Sequence, residues 1–236
     1  ADKLDTLVGV FGIGQIPTGE KDPYALRRAA LGVLRTLIEG NLDLDLTHLI
    51  RDAAGGYTQQ QLADGVQAAV FEFIIDRLRA YFADQGIPAE VFQAVQARQP
   101  RRPLDFARRA QAVNAFRQLA EAQSLVAANK RIQNILRQVD HDLPNEVDDA
   151  LFRADAEWDL AAKMVGLRPR VLAMLKQSDY TGALTSLAGL RDAVDAFFDN
   201  VRVMDEDVNV KNNRLALLNN ISELFLATAD ISKLQA

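Results

Sequence analysis

No cysteine occurs among the 236 residues, which excludes disulfides, thiolate metal sites and a cysteine nucleophile together. Histidine is nearly as scarce. Only His48 and His141 are present, far apart in the chain, so a multi-histidine metal centre is impossible and a catalytic histidine has just two candidates. No run approaches the roughly 18 apolar residues needed to span a bilayer, and no secretory leader is visible. The location expected from these absences is cytoplasmic, with no membrane partner. Alternating, strand-like stretches longer than a few residues are also missing, which leaves an all-α fold, a multi-helix bundle.

Catalytic signatures are missing too. Ser124, Ser178, Ser186, Ser222 and Ser232 sit in no nucleophile-elbow context. The glycine-rich segment Gly9 to Gly19 lacks the Gly-Lys-Ser/Thr ending of a phosphate-binding loop and reads as a tight loop needing permissive backbone. Asp2 with Asp5, and Asp192, Asp195 and Asp199, have helical spacings that could hold a cation, but no histidine stands nearby to complete a site. Arg191 and Asp195 are better read as an i,i+4 pair. The expectation is therefore no catalytic residue, no bound metal and no cofactor within this chain.

What is present is an ordinary globular composition, 49% hydrophobic and 25% charged, long enough for one large domain or two modest ones. The opening ADKLDTLVGVFGIGQ starts in mid-pattern and reads as the continuation of an upstream part. The net charge of −5 is unevenly spread. Between Arg98 and Arg137 nine cations face only Asp105 and Glu121, a net of +7, while the flanking segments carry −5 and −7. A basic block in an acidic chain is the footprint of an anion-binding surface, and nucleic acid is the commonest such anion.

Helix signals follow one another along the chain. Asp22-Pro23 reads as an N-cap and first helical residue, with Leu26, Ala30, Val33, Leu34, Leu37 and Ile38 as the buried stripe and Gly40 as the end. A shorter helix is expected over Asn41–Ala54. Thr58 and Gln61 read as the capping box of a long helix through Asp84. Gly86 and Pro88 stop that helix, and a short one follows over Ala89–Ala97. Gln99 to Pro103 reads as a rigid basic linker. One or two helices run from Leu104 towards Val139.

Within Ser124–Val139 a 100° step places Lys130, Asn134 and Arg137 together, opposite Leu125, Ala128, Ile132, Ile135, Leu136 and Val139. Two cations flanking an amide on a solvent face suit phosphates and a base edge. From Asp155 to Gln177 a long helical pattern contains Pro169, which predicts a kink or a break after Leu167. Trp158 reads there as a core anchor. Asp179 caps the next helix. The stretch Gly189–Phe225 then forms a helical hairpin, buried along Leu190, Val194, Phe197, Phe198 and Val201, and along Leu215, Leu218, Ile221, Leu224, Phe225 and Thr228.

Three ordered segments carry a resemblance: DPYALRRAALGVLR (Asp22 to Arg35), AANKRIQNIL (Ala127 to Leu136) and LRDAVDAFFDNVRVM…NRLALL…LF…ADIS. Together they resemble the bacterial glycyl-tRNA synthetase β subunit family over the whole chain, as its C-terminal third. The resemblance implies that residues 1–55 close an HD-like helical domain and that residues 56–236 contain an anticodon-binding domain of the DALR type. ADKLDTL resembles the late Ala-Asp element of HD phosphohydrolases, with Asp2 at the metal-ligand position, but the companion elements lie outside the chain and no metal is expected. It further implies that a separate α subunit uses ATP and magnesium for glycylation, that two α and two β subunits assemble, and that this part grips glycine tRNA. The residues expected to meet phosphates are Arg117, Lys130, Arg131 and Arg137. Those expected at bases are Asn129 and Asn134, with Asp199, Asn200 and Arg202 at the hairpin as further candidates. The competing expectation is a structural module that braces the subunit assembly with little RNA contact; a remnant HD hydrolase is a further one.

Overall fold

The computed structural model describes residues 1–19, 21–58 and 62–235, and among these described residues there are eleven α-helices and two short 3₁₀ turns. Among the described residues there is no strand beyond an isolated bridge between Thr18 and Lys21, so the fold is all-α. Two compact units are present. One comprises residues 1–92 with 99–108, the other 93–98 with 109–236.

The first unit holds α1 (Asp2–Gly12), α2 (Leu26–Glu39), α3 (Leu46–Ala54) and α4 (Val66–Ala83). α5 (Ala89–Gln96) and α6 (Pro103–Phe116) each give residues to both units. The inward stripe expected for α2 is the observed one, since Leu26, Ala30, Val33, Leu34 and Leu37 are all buried. α2 packs against α1 and α4, whose Leu7, Val8, Val70 and Ile74 are also buried. Phe106 stacks with Phe82 at 5.6 Å and with Phe92 at 5.4 Å between centroids, and such ring pairs add to area burial.

Several helix starts differ from the sequence expectation. The glycine-rich segment is not a loop from Gly9, because α1 continues to Gly12. Gly9 is needed for another reason: a Cβ there would lie 2.6 Å from the Tyr57 hydroxyl, which donates to the Asp5 carbonyl at 3.1 Å. α2 begins at Leu26 rather than at Pro23. Asp22 still supplies the missing acceptors, taking the amides of Leu26 at 2.8 Å and Arg27 at 3.0 Å from four residues upstream, across a left-handed Ala25. α3 begins at Leu46, capped by Asp45 through the Thr47 amide at 2.8 Å. α4 begins only at Val66, after Gly65 at φ 75. The capping box expected at Thr58 involves Gln61, which lies outside the described residues.

The second unit adds α7 (Ala122–Leu136), α8 (Asp155–Lys176), α9 (Tyr180–Ala188), α10 (Arg191–Asn200) and α11 (Val208–Leu226). The basic segment from Leu104 therefore forms two helices. α8 runs unbroken through Pro169, so the break expected after Leu167 does not occur. Pro169 and the Val165 side chain one turn earlier are both exposed, on a side where water can serve a carbonyl that lacks its helical donor. Asp179 caps α9 as expected, accepting from the Gly182 amide at 2.9 Å. Asp207 caps α11 through the amides of Asn209 and Val210.

The hairpin of α10 and α11 packs against α7 and α8, and its expected inward residues are buried apart from Phe198, which is half-buried. A buried ion network fixes the turn between its helices. Glu157 on α8 is fully buried and accepts the amides of Arg153 at 2.8 Å and Ala154 at 2.9 Å. Its other oxygen takes Arg214 Nε of α11 at 2.7 Å. Arg214 also donates to the Arg202 carbonyl at 2.9 Å and to Asp205 at 2.8 Å. Burial pushes the Glu157 carboxyl up, but the Arg214 guanidinium and the two amides outweigh it and hold the carboxyl below its usual range.

Candidate nucleic-acid interface

The +7 window is divided between the two units. Arg101, Arg102 and Arg108 belong to the first unit, where Arg102 pairs with Asp43 at 2.8 Å and Arg108 donates to Asn41 at 3.1 Å. In the second unit Arg109 is a structural cation. Its Nη1 donates to the carbonyls of Ala227 at 2.6 Å and Thr228 at 2.8 Å, just past the end of α11, and its guanidinium carbon lies 4.3 Å from the centre of the Tyr180 ring. A cation there satisfies carbonyls that a helix end leaves open. Arg117 is half-buried and engaged within the chain.

Within the second unit Arg98 is exposed, and the other solvent-facing cations of the window lie on and just past α7. Asn134 and Arg137 are exposed and joined at 3.3 Å, and Lys130, one turn earlier, is half-exposed with no ion pair among the described residues. These three share the outer face that the 100° step gives them. Arg131 is exposed, with its guanidinium 4.2 Å from the Phe198 ring of α10. This contact brings α7 beside Asp199 and Asn200 at the end of α10, which are both exposed, as is Arg202 in the connection. Asn200 donates to the Ala196 carbonyl at 2.8 Å. Asp195, on the same helix, accepts from Ser124 of α7 at 2.5 Å and lies 3.9 Å from Arg191, so it serves the frame.

Asn129 departs from the expectation. It is only 2% exposed, and neither amide atom has a hydrogen-bond partner among the described residues. Three to four residues separate it from Leu125, Val126 and Ile132, so it belongs to their inward face. A base edge reaches it only if α7 moves.

The sequence reading missed a second exposed face. Trp158 was expected in the core and is 50% exposed, packed edge-on against Phe152 at 5.0 Å. Val165 at 76% and Leu172 at 41% continue the same stripe in steps of seven residues. The signal was available: α8 has two apolar stripes, and Leu160, Met164 and Val171 already fill the inward one. One helix needs only one core face.

Among the described residues no group of three or more acidic or histidine side chains is placed to hold a metal, and Asp2 is exposed in the first turn of α1. None of the described helices is long and apolar enough to cross a membrane.

α7 thus presents an exposed cationic face on a helical frame. Residues 125–234, which span α7 to the last 3₁₀ turn, match the family described as DALR anticodon binding domain. The second unit is thus a helical domain of the anticodon-binding class. Residues 1–97 match the family described as glycyl-tRNA synthetase beta subunit. The chain is 53% identical over 235 residues to the glycine–tRNA ligase beta subunit of Marinobacter nauticus, covering 99% of this chain. It is 51% identical to that of Shewanella oneidensis, covering all of it. The chain belongs to the glycyl-tRNA synthetase beta subunit family, and it spans about a third, 34%, of the length of those relatives.

Proposed function

We propose that the second unit grips the anticodon stem-loop of glycine tRNA, with the outer face of α7 against the RNA backbone. The observation that carries this is the coincidence of the anticodon-binding family match with the half-exposed Lys130 and the exposed Asn134 and Arg137 on one helix face. Lys130 and Arg137, with Arg131 beside them, neutralise phosphates, while Asn134 and the polar groups Asp199, Asn200 and Arg202 meet loop bases splayed from the stem. Glycine anticodons share two adjacent cytosines, whose exocyclic amines donate to carboxylate and amide oxygens. Asn129 contributes to this reading only through a shift of α7, and Arg117 is half-buried and engaged within the chain.

In this reading the chain belongs to a cytoplasmic ligase in which two α and two β subunits assemble. The α subunit uses ATP and magnesium to attach glycine, and the present part supplies tRNA recognition. Residues 1–55 close an HD-like domain, and the anticodon-binding domain lies within residues 56–236.

Charge reversal at Lys130→Glu with Arg137→Glu tests the assignment. The expected result is weaker binding of a glycine-tRNA anticodon hairpin, with the slope of log affinity against log salt reduced by about 0.7 for each single-strand phosphate no longer neutralised. Unchanged affinity and unchanged slope would instead assign α7 a bracing role in the subunit assembly.

A further inference from the structure

We propose that the Phe152–Trp158 groove on α8 takes one splayed base of the bound RNA loop by stacking on Trp158. This rests on the anticodon-loop reading above and adds to it a second surface, on a helix that the charge count passed over.

The groove measures 490 Å³ and lies between α8, the segment before it and α11, wholly inside the second unit. Its floor is the half-exposed indole, held by Phe152 at 5.0 Å with the two rings 80° apart. An edge-on neighbour fixes the indole while leaving a face for a third ring. Glu146, Asp149 and Asn220 line the groove around it. Carboxylates and an amide oxygen accept from an exocyclic amine, and the amide nitrogen donates to a ring nitrogen or carbonyl, which is the hydrogen-bonding complement of a base edge.

Charge decides between RNA and a protein helix as the occupant. Past Trp158 the same face presents Arg168 and Lys176, both exposed and neither in an ion pair among the described residues. Lys163, on another side of α8, is by contrast matched by Asp159 at 3.1 Å. An apolar partner helix gains little from two unmatched cations along its path. A strand with a base on Trp158 and its phosphates leading towards Arg168 and Lys176 uses both, and the pairing of aromatic platform with cationic track is how single strands are commonly held. α8 carries three acids, all within its first five residues, and four cations, of which Arg168, Arg170 and Lys176 lie in its second half, so a windowed charge sum does not reveal the track.

Trp158 is the only tryptophan of the chain, so its fluorescence reports this groove alone. Titration of the 236-residue chain with a glycine-tRNA anticodon hairpin is expected to quench the emission, and an otherwise identical hairpin with abasic loop positions is expected to bind without quenching. Trp158→Ala is expected to weaken hairpin binding by about tenfold, the effect of removing one stacked base, and Trp158→Phe to recover most of it. Arg168→Glu with Lys176→Glu, both at the surface, is expected to flatten the salt dependence with the helical circular dichroism unchanged. Hairpin binding with unaltered emission would overturn the groove assignment and leave the anticodon-loop reading standing. Absence of hairpin binding both here and in the intact ligase would overturn the two together. An emission change on adding the α subunit, with none on adding RNA, would assign the groove to a protein partner and overturn the proposal.

Discussion

Glu157 shows how one side chain sets the frame. It is fully buried, closes the start of α8 by accepting two amides, and carries the Arg214 ion pair that reaches into the hairpin turn. Removing one partner of a buried pair leaves a charge without compensation. Glu157→Ala is therefore expected to cost about 3–5 kcal/mol in chemical denaturation, far more than removal of the exposed Arg153–Asp207 pair. The pH dependence follows from the same site. The folded carboxyl lies below its ordinary value of 4.5, so its contribution is complete above that pH and disappears as the pH falls through the lower folded value. Thermal melts between pH 7 and pH 3 should show this acid loss, and Glu157→Gln should abolish that part of it. Gly9 makes a second residue-scale prediction. The methyl of Gly9→Ala would collide with the Tyr57 hydroxyl, and overpacking of this kind costs about 1–3 kcal/mol. An unchanged denaturation midpoint would show that Tyr57 swings away freely.

At the level of elements, the hairpin turn is held by the Asp207 cap as well as by the ion network. Asp207→Ala is expected to lower stability by about 1 kcal/mol and to speed amide exchange in the first turn of α11 before it affects the rest of that helix. Such caps were legible in the sequence where cap and helix are adjacent, as at Asp179. They were not legible at α2 and α4. Asp22 acts across an intervening turn, and α4 waits for a left-handed Gly65 that no short-range pattern announces. Pro169 misled because sequence carries no sign of which face a proline takes, and here it sits on the wet side of a continuous helix. The same blindness reversed Trp158 and Asn129. Hydrophobicity argued for burying the indole and polarity for exposing the amide, whereas the number of apolar residues on each helix face decided both.

On the scale of the whole molecule, the charge block from Arg98 to Arg137 pointed to an anionic partner, yet tertiary structure divides it. Some of its cations serve the first unit, Arg109 closes the end of α11, and within the second unit the solvent-facing cations gather mainly on the outer face of α7. What the amino-acid pattern could supply was the helical class, the hairpin and the family. What it could not supply was which cations are already engaged by carbonyls and carboxylates, since those partners lie 59 to 119 residues away in the chain. Whether the second unit holds the anticodon loop is tested most directly by nuclease footprinting of glycine tRNA with and without the 236-residue chain. The predicted result is protection of the anticodon loop that fades as salt rises and disappears with Lys130→Glu and Arg137→Glu. Identical cleavage of that loop with and without saturating chain would contradict it.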